Sequence, residues 1–288
     1  MNVAYKQNNS TSPIHMYNKQ LLLEDYFPPL NCKEFDQLRT EIVVPDIRHL
    51  DQSLFKKRLA KHFQHNDSNR LTGFDAFPQN DIILGCQQYI DNLISKKGLD
   101  GLQIFEHDYH YYKKLNTKIK YVTVDTLESK KPLLIAMPFP GHLQTHRQME
   151  EILEVCESKS IDVHIDCAWL SAAFDINFNF DRPCVKSFAM SFSKSYHLHW
   201  NKIGIRWSRI TDNSDAITIQ NNVGGISNFN LYVAGKYMEK FPIDYLCKKY
   251  KGEYFKVCRG LKLRPSNIIH ACFSMDRRFL YGLKNFFD

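Results

Sequence analysis

Between residues 51 and 64, Leu54, Phe55, Leu59 and Phe63 recur at helical spacing among lysines, which predicts an amphipathic helix. The short apolar run Ile82-Ile83-Leu84 ends at Gly85 and reads as a strand. Tyr89, Ile90, Leu93 and Ile94 then repeat every three to four residues, a helix closing at Gly98. From there apolar runs alternate with helical periods. Leu102–Phe105, Tyr121–Val124, Pro132–Met137, Ile161–Ile165 and Val185–Met190 read as strands, and Thr145–Ser158 reads as a helix with Met149, Ile152, Leu153 and Cys156 facing inward. Continuous apolar strands are buried on both faces. The fold class expected is therefore α/β, a mostly parallel sheet sandwiched by helices. Beyond about residue 212 the pattern changes to polar loops, a helical stretch near 229–240 and a strand–helix finish. This divides the chain into residues 1–65 (a polar arm over 1–15, then part of a small domain), a large domain over 66–212, and a reduced C-terminal α+β portion over 213–288.

Composition narrows the function. The 288 residues are 43% hydrophobic and 24% charged, enough for a substantial core and ordinary for a folded chain. The net charge of +7 comes from scattered Lys and Arg; Lys56-Lys57-Arg58 and Lys248-Lys249 are short, separate runs. No dense basic face for nucleic acid is evident, and Tyr109, Tyr111 and Tyr112 read as core and rim residues, not a base-stacking platform. The excess suits an anionic cofactor and substrate. Eight cysteines show no CxxC pair, so neither a zinc site nor a disulfide framework is expected. The N-terminus lacks the apolar core of a secretion signal, and no run approaches the ~20 residues needed to span a bilayer. The protein reads as soluble, reduced and cytoplasmic, and no internal repeat is present.

Gly85, Asp166 and Ser191–Lys194 each follow a strand directly, and in a parallel sheet such positions gather on one edge. Gly85-Cys86-Gln87 opens a helix, where backbone N–H groups and the helix dipole suit a phosphate; a plain strand-to-helix turn is the alternative. Asp166 can hold a proton on a basic nitrogen, or it can be a helix N-cap. Lys194 offers an amine that forms an imine with an aldehyde if burial lowers its pKa, although most lysines lie on the surface. Its setting differs from that of a surface lysine. Ser191 and Ser193 supply hydroxyls, Lys202 a cation, and Gly204 close backbone approach.

Ser191-Phe192-Ser193-Lys194-Ser195-Tyr196-His197-Leu198, followed by Lys202-Ile203-Gly204, resembles the lysine motif of the class I/II pyridoxal-phosphate (PLP)-dependent aminotransferases, the fold type I group. Asp166-Cys167-Ala168-Trp169 is similar to that family's D-x-A-Y, and Gly85-Cys86-Gln87 to its phosphate-binding helix start. Tyr109 sits where the family has the aromatic of its P-x-Y. The similarity runs over roughly residues 50–210 in matching order. It implies an aminotransferase with PLP as cofactor, acting on a small amino donor and a carbonyl acceptor. It also implies a homodimer, with Gly224–Asn230 a guessed contact. By the same resemblance Lys194 is the Schiff-base lysine and proton shuttle, Asp166 the partner of the ring nitrogen, and Tyr109 the stacking aromatic. Trp169 stands in place of the tyrosine that donates to the ring oxygen. Ser191, Ser193, Lys202 and the amides of Cys86 and Gln87, beside Gly85, hold the phosphate.

Three departures qualify the expected reaction. Lys202 replaces the usual arginine, a point charge for a bidentate fork. Phe139-Pro140-Gly141-His142 replaces N-P-T-G, so the asparagine at the ring oxygen is a phenylalanine. The strand Ile268–Phe273 carries His270 in place of the family's carboxylate-clamping arginine, with Arg264, Arg277 and Arg278 nearby. His197 and His199 are further candidates for touching substrate, while His142 and His146 read as surface. Another PLP reaction (decarboxylation, elimination or condensation), or a catalytically degenerate homologue, remains as an alternative.

Overall fold

A computed structural model describes residues 30–97, 101–115, 118–277 and 280–287. The polar arm, Gly98 and Arg278 lie outside them. Helices α1 (Lys33–Glu41) and α2 (Gln52–Gln64) come first, then β1 (Arg70–Thr72), β2 (Gln79–Ile83) and α3 (Cys86–Lys97). Next are β3 (Gln103–Phe105), α4 (Tyr111–Leu115), β4 (Lys120–Val122), β5 (Leu133–Ala136), α5 (Met149–Ser158) and β6 (Val163–Asp166). Strands β7 (Asn177–Asn179) and β8 (Val185–Ser191) precede the single turn α6 (Phe192–Ser195) and β9 (Gly204–Ser208). The chain ends with α7 (Ala216–Asn222), α8 (Asn228–Lys240), α9 (Tyr245–Gly260), β10 (Arg264–Pro265), β11 (Ala271–Phe273) and β12 (Leu280–Gly282).

Seven strands form the central sheet in the order β2-β9-β8-β6-β5-β3-β4. Strand β9 runs antiparallel to both neighbours and all the others point one way, so the sheet is mostly parallel. Alternation along each strand sends side chains to two cores. Leu133, Ile135, Phe188 and Met190 join one core with α2 and α5, while Leu134 and Ala189 join the other with Tyr89, Ile90 and Leu93 of α3. Fully burying each such Leu, Ile or Phe contributes roughly 1.5–3 kcal/mol. That is several times a helix-propensity difference, so packing dominates here. At the sheet's edge Arg206 of β9 bridges Asp81 of β2 (2.5 Å) and Asp215, the N-cap of α7 (2.9 Å), all three buried. Breaking such a pair strands a buried charge, so it pins β2, and with it Gly85, against β9.

The expected helix at 51–64 is α2, with the Asp51 side chain accepting from Leu54 N; Phe55, Leu59 and Phe63 are buried, whereas Leu54 is exposed. Helix α5 buries its four expected residues but begins at Met149, because His146–Gln148 form a turn. The end of the chain differs from expectation. A strand–helix finish was anticipated; β11 instead pairs antiparallel with β10 and β12, and Lys284–Phe286 is one 3-10 turn. Leu280, Tyr281 and Gly282 have a ladder to join in Phe273, Cys272 and Ala271. Helix α7 lies where polar loops were read, and α9 follows the expected helical stretch, where no helix was read before the final strand. No described helix is long and apolar enough to cross a membrane.

Candidate active site

The ladder registers place the expected residues on one edge. Ile83 and Ser191 both pair with Gly204, and Asp166 pairs with Ala189 on one side and Ala136 on the other. Gly85, Lys194 and Asp166 therefore emerge where parallel strands end, and Lys202 where antiparallel β9 begins. Gly204 permits this closeness, since a Cβ there would lie 2.3 Å from Met190 O.

Lys194 occupies α6, directly after β8. Its Nζ stands 4.5 Å from the Trp169 ring centroid, and burial lowers its pKa to about 8. His270 Nε2 donates to Lys194 O at 3.1 Å, while its Nδ1 accepts from Leu30 N at 3.1 Å. That pattern requires the neutral Nε2–H tautomer, and burial holds its pKa well below the ordinary histidine value. His270 is therefore a strut behind the lysine turn with both nitrogens engaged. Standing where the family has its arginine, it has neither nitrogen left over for a carboxylate.

Asp166 is 4% exposed; its Oδ1 accepts from Ala168 N (3.0 Å) and its Oδ2 from the Tyr112 hydroxyl (2.9 Å). Burial raises its pKa, and those two donors oppose the rise. Trp169 meets His270 edge-on, ring centroids 5.6 Å apart. Tyr109 is 37% exposed and stands edge-on to Tyr112 at 5.5 Å.

At the start of α3, Gly85 has φ +78°, and its missing Cβ would sit 3.7 Å from Lys202 and from Ser193 Oγ. Lys202 Nζ donates to Gln87 Oε1 at 3.0 Å, and Gln87 Nε2 donates to Tyr111 Oη at 2.6 Å. Amides in a helix's first turn have no acceptor inside the helix, so this is a cationic cradle open to an anion. Ser193 is half-buried, whereas Ser191 is 1% exposed beside the buried Cys86 thiol. Ser193 is the hydroxyl turned to the opening.

Phe139 is 1% exposed and wrapped by His142 and His146, with centroids 5.3 and 4.6 Å away, so both histidines pack on the turn after β5. His197, with φ +57°, is buried against Phe35 at 5.3 Å, and its pKa falls to about 3, chiefly through burial. His199 is exposed, as are Arg264 and Arg277. Sequence reasoning missed Tyr112 and Arg39. Arg39, one turn after Phe35 on α1, lies 5.6 Å from the Trp200 ring in the loop that follows Lys194, and its guanidinium is paired with Asp36 at 2.8 Å. The helical spacing of Phe35 and Arg39 was the available signal. Clefts of about 180 Å³ between α2 and α8 and about 300 Å³ beside His62 and His65 include neither Lys194 nor Asp166.

The edge can thus hold an anion at one end and a basic nitrogen at the other, with an amine between them. A phosphorylated, aldehyde-bearing heterocycle has those groups in that order. No family model matches the chain, and no curated protein matches it. Solved structures do. The chain superposes on tyrosine aminotransferase from Leishmania infantum with TM-score 0.60 at 10% identity, over 97% of this chain and 96% of that one. L-threonine-O-3-phosphate decarboxylase from Porphyromonas gingivalis gives 0.58 at 12%, over 83% and 81%. The PLP-bound C-S lyase from Staphylococcus hominis gives 0.59 at 11%, over 90% and 78%. The chain has the fold of these enzymes. It is the expected fold type I architecture, shared among proteins that run different reactions.

Proposed function

We propose that this chain is a PLP-dependent enzyme that transfers an amino group between an amino acid or amine and a keto or aldehyde acceptor. The observation that carries the reading is Lys194 Nζ, largely buried, with its pKa lowered to about 8 and on the same sheet edge as Asp166. The bound cofactor supplies an electron sink for the substrate carbon that loses a proton. Lys194 Nζ would hold the cofactor's aldehyde, and as a neutral amine it would be the base that takes a proton from the substrate carbon and returns it. Asp166 keeps the ring nitrogen protonated. The Trp169 indole N–H donates toward the ring oxygen. Tyr109 would cover one ring face, and Ser193, Lys202 and the amides of Cys86 and Gln87, beside Gly85, would hold the phosphate, with Ser191 buried behind them against the Cys86 thiol.

Added PLP should give visible absorbance that borohydride bleaches while fixing the cofactor onto the peptide containing Lys194. Lys194→Ala should lose both; label spread over exposed lysines would sink the assignment. A second reading, decarboxylation, elimination or condensation on the same cofactor, draws on Phe139 and His270. Both sit buried where the family has an asparagine and an arginine. Conversion of the cofactor to its amine form by any amino donor decides for transamination. A homodimer belongs to the proposal, with Phe229 of the Gly224–Asn230 stretch 43% exposed for contact; a monomer in sedimentation removes that part.

A further inference from the structure

Asp166 has a second buried acid beside it. Asp108 follows β3, is 8% exposed, and accepts from Tyr109 N at Oδ1 (2.6 Å) and from Ala136 N at Oδ2 (3.2 Å). Ala136 stands opposite Asp166 in the ladder, so the two carboxyls flank one strand end. Two carboxyls buried beside one another in a dry interior do not both ionise cheaply, and the pair retains a proton. The hydrogen-bond donors decide where it stays. Asp166 receives the hydroxyl of Tyr112 in addition to a backbone amide, whereas Asp108 receives backbone amides. Burial, with a smaller contribution from the Asp166 charge, pushes Asp108 up to about 8. Tyr112 is itself fully buried in the α3-side core, and burial, then its acid neighbours, keep its phenol protonated and donating.

We infer that Tyr112 is a positioning residue that makes Asp166, and not Asp108, the charged member of this pair, and thereby fixes the proton on the ring nitrogen of the bound heterocycle. The inference rests on the cofactor reading above. A phenol donated to Oδ2 lowers the proton affinity of Asp166, so a nitrogen brought against that carboxylate keeps its own proton. With the hydroxyl removed, Asp166 becomes the better site for the retained proton and meets the nitrogen as a neutral acid.

The test measures dissociation constants, by quenching of tryptophan fluorescence, for PLP and for its analogue with carbon in place of the ring nitrogen. Wild type, Tyr112→Phe and Tyr89→Phe are compared. Tyr89 is a control, equally buried in the same core but with its hydroxyl on Ser187. Tyr112→Phe should weaken PLP binding at least tenfold and the analogue less than twofold, while Tyr89→Phe leaves the ratio of the two constants unchanged. Equal weakening of both ligands by Tyr112→Phe overturns the inference, because a merely structural role ignores the nitrogen. Should Tyr112→Phe fail to fold by circular dichroism, Asp108→Asn answers the same question. If Asp108 already carries the proton, the ratio stays within twofold of wild type; a tenfold change overturns the inference. Wild-type protein that binds neither ligand removes the cofactor reading itself, and this inference with it.

Discussion

An amine is a nucleophile only when neutral, so burial of Lys194 has a kinetic consequence. Its pKa lies at about 8, below the 10.5 of a free lysine, because desolvation penalises the ammonium form. The rate at which the protein captures PLP should therefore rise with pH through a midpoint at about 8, where half of the amine is neutral, and level off roughly one unit above it. An exposed lysine would continue to gain until about 10.4. Stopped-flow absorbance between pH 6 and 10 reads the midpoint; a rate still climbing at pH 9.5 would mean that Lys194 is solvated as an ordinary surface amine. Much at this scale was legible beforehand. Lys194 and Asp166 stand in patterned neighbourhoods, and the strand ends predicted their shared edge. Tyr112 was not legible: three tyrosines lie within residues 109–112, and only the turn of α4 decides which hydroxyl reaches Asp166. His270 was read from the strand it precedes, but its environment comes from Leu30 and Lys194, 240 and 76 residues away.

Strands were easier to read than helices because a doubly buried strand is a run of apolar letters and nothing else. Helix α9 escaped because Lys248, Lys249, Lys251 and Lys256 dominate its letters, while its inner face sets only Leu246 and Val257 among Cys247, Tyr250, Tyr254 and Cys258. The elements also make different demands on two glycines at the site. Gly204 lies where β8 and β9 nearly touch; an alanine methyl would meet Met190 O at 2.3 Å and Ser191 Cβ at 2.9 Å. Gly204→Ala should therefore destabilise by roughly 1–3 kcal/mol or more and displace the lysine turn. Gly85 has room, with its nearest neighbours at 3.7 Å, but adopts φ +78°. Gly85→Ala costs only about 1–2 kcal/mol of backbone strain. It should fold, yet bind PLP roughly tenfold more weakly, a loss of about 1.4 kcal/mol, because the methyl intrudes on the phosphate cradle. Urea unfolding and PLP titration of both variants separate the two effects. If Gly204→Ala were as stable as Gly85→Ala, the close strand contact would not be real.

Across the whole molecule, His270 joins three distant parts: the backbone of Leu30 ahead of α1, the carbonyl of Lys194 at the sheet edge, and its own position before β11. Protonation would place a hydrogen on Nδ1, facing the Leu30 N–H, so two donors would oppose each other in a dry interior. The folded pKa lies well below 6.5, while the unfolded chain takes up the proton near 6.5. Below that pH the unfolded state binds the extra proton, and stability falls as pH falls, by up to about 1.4 kcal/mol per pH unit from this group. His62 and His197, with pKa values lowered to about 4 and about 3 by burial, act in the same sense; Asp108, raised to about 8, acts in the opposite one. A comparison of variants cancels those shared contributions. Glutamine keeps an acceptor and a donor but does not titrate, so His270→Gln should lose about one proton's worth of slope between pH 6.5 and 5. His270→Ala, which leaves Leu30 N and Lys194 O unsatisfied, should cost roughly 2–4 kcal/mol at neutral pH. Urea midpoints at several pH values give both quantities, and parallel pH curves for wild type and His270→Gln would show that this imidazole does not tie the N-terminal segment to the lysine turn.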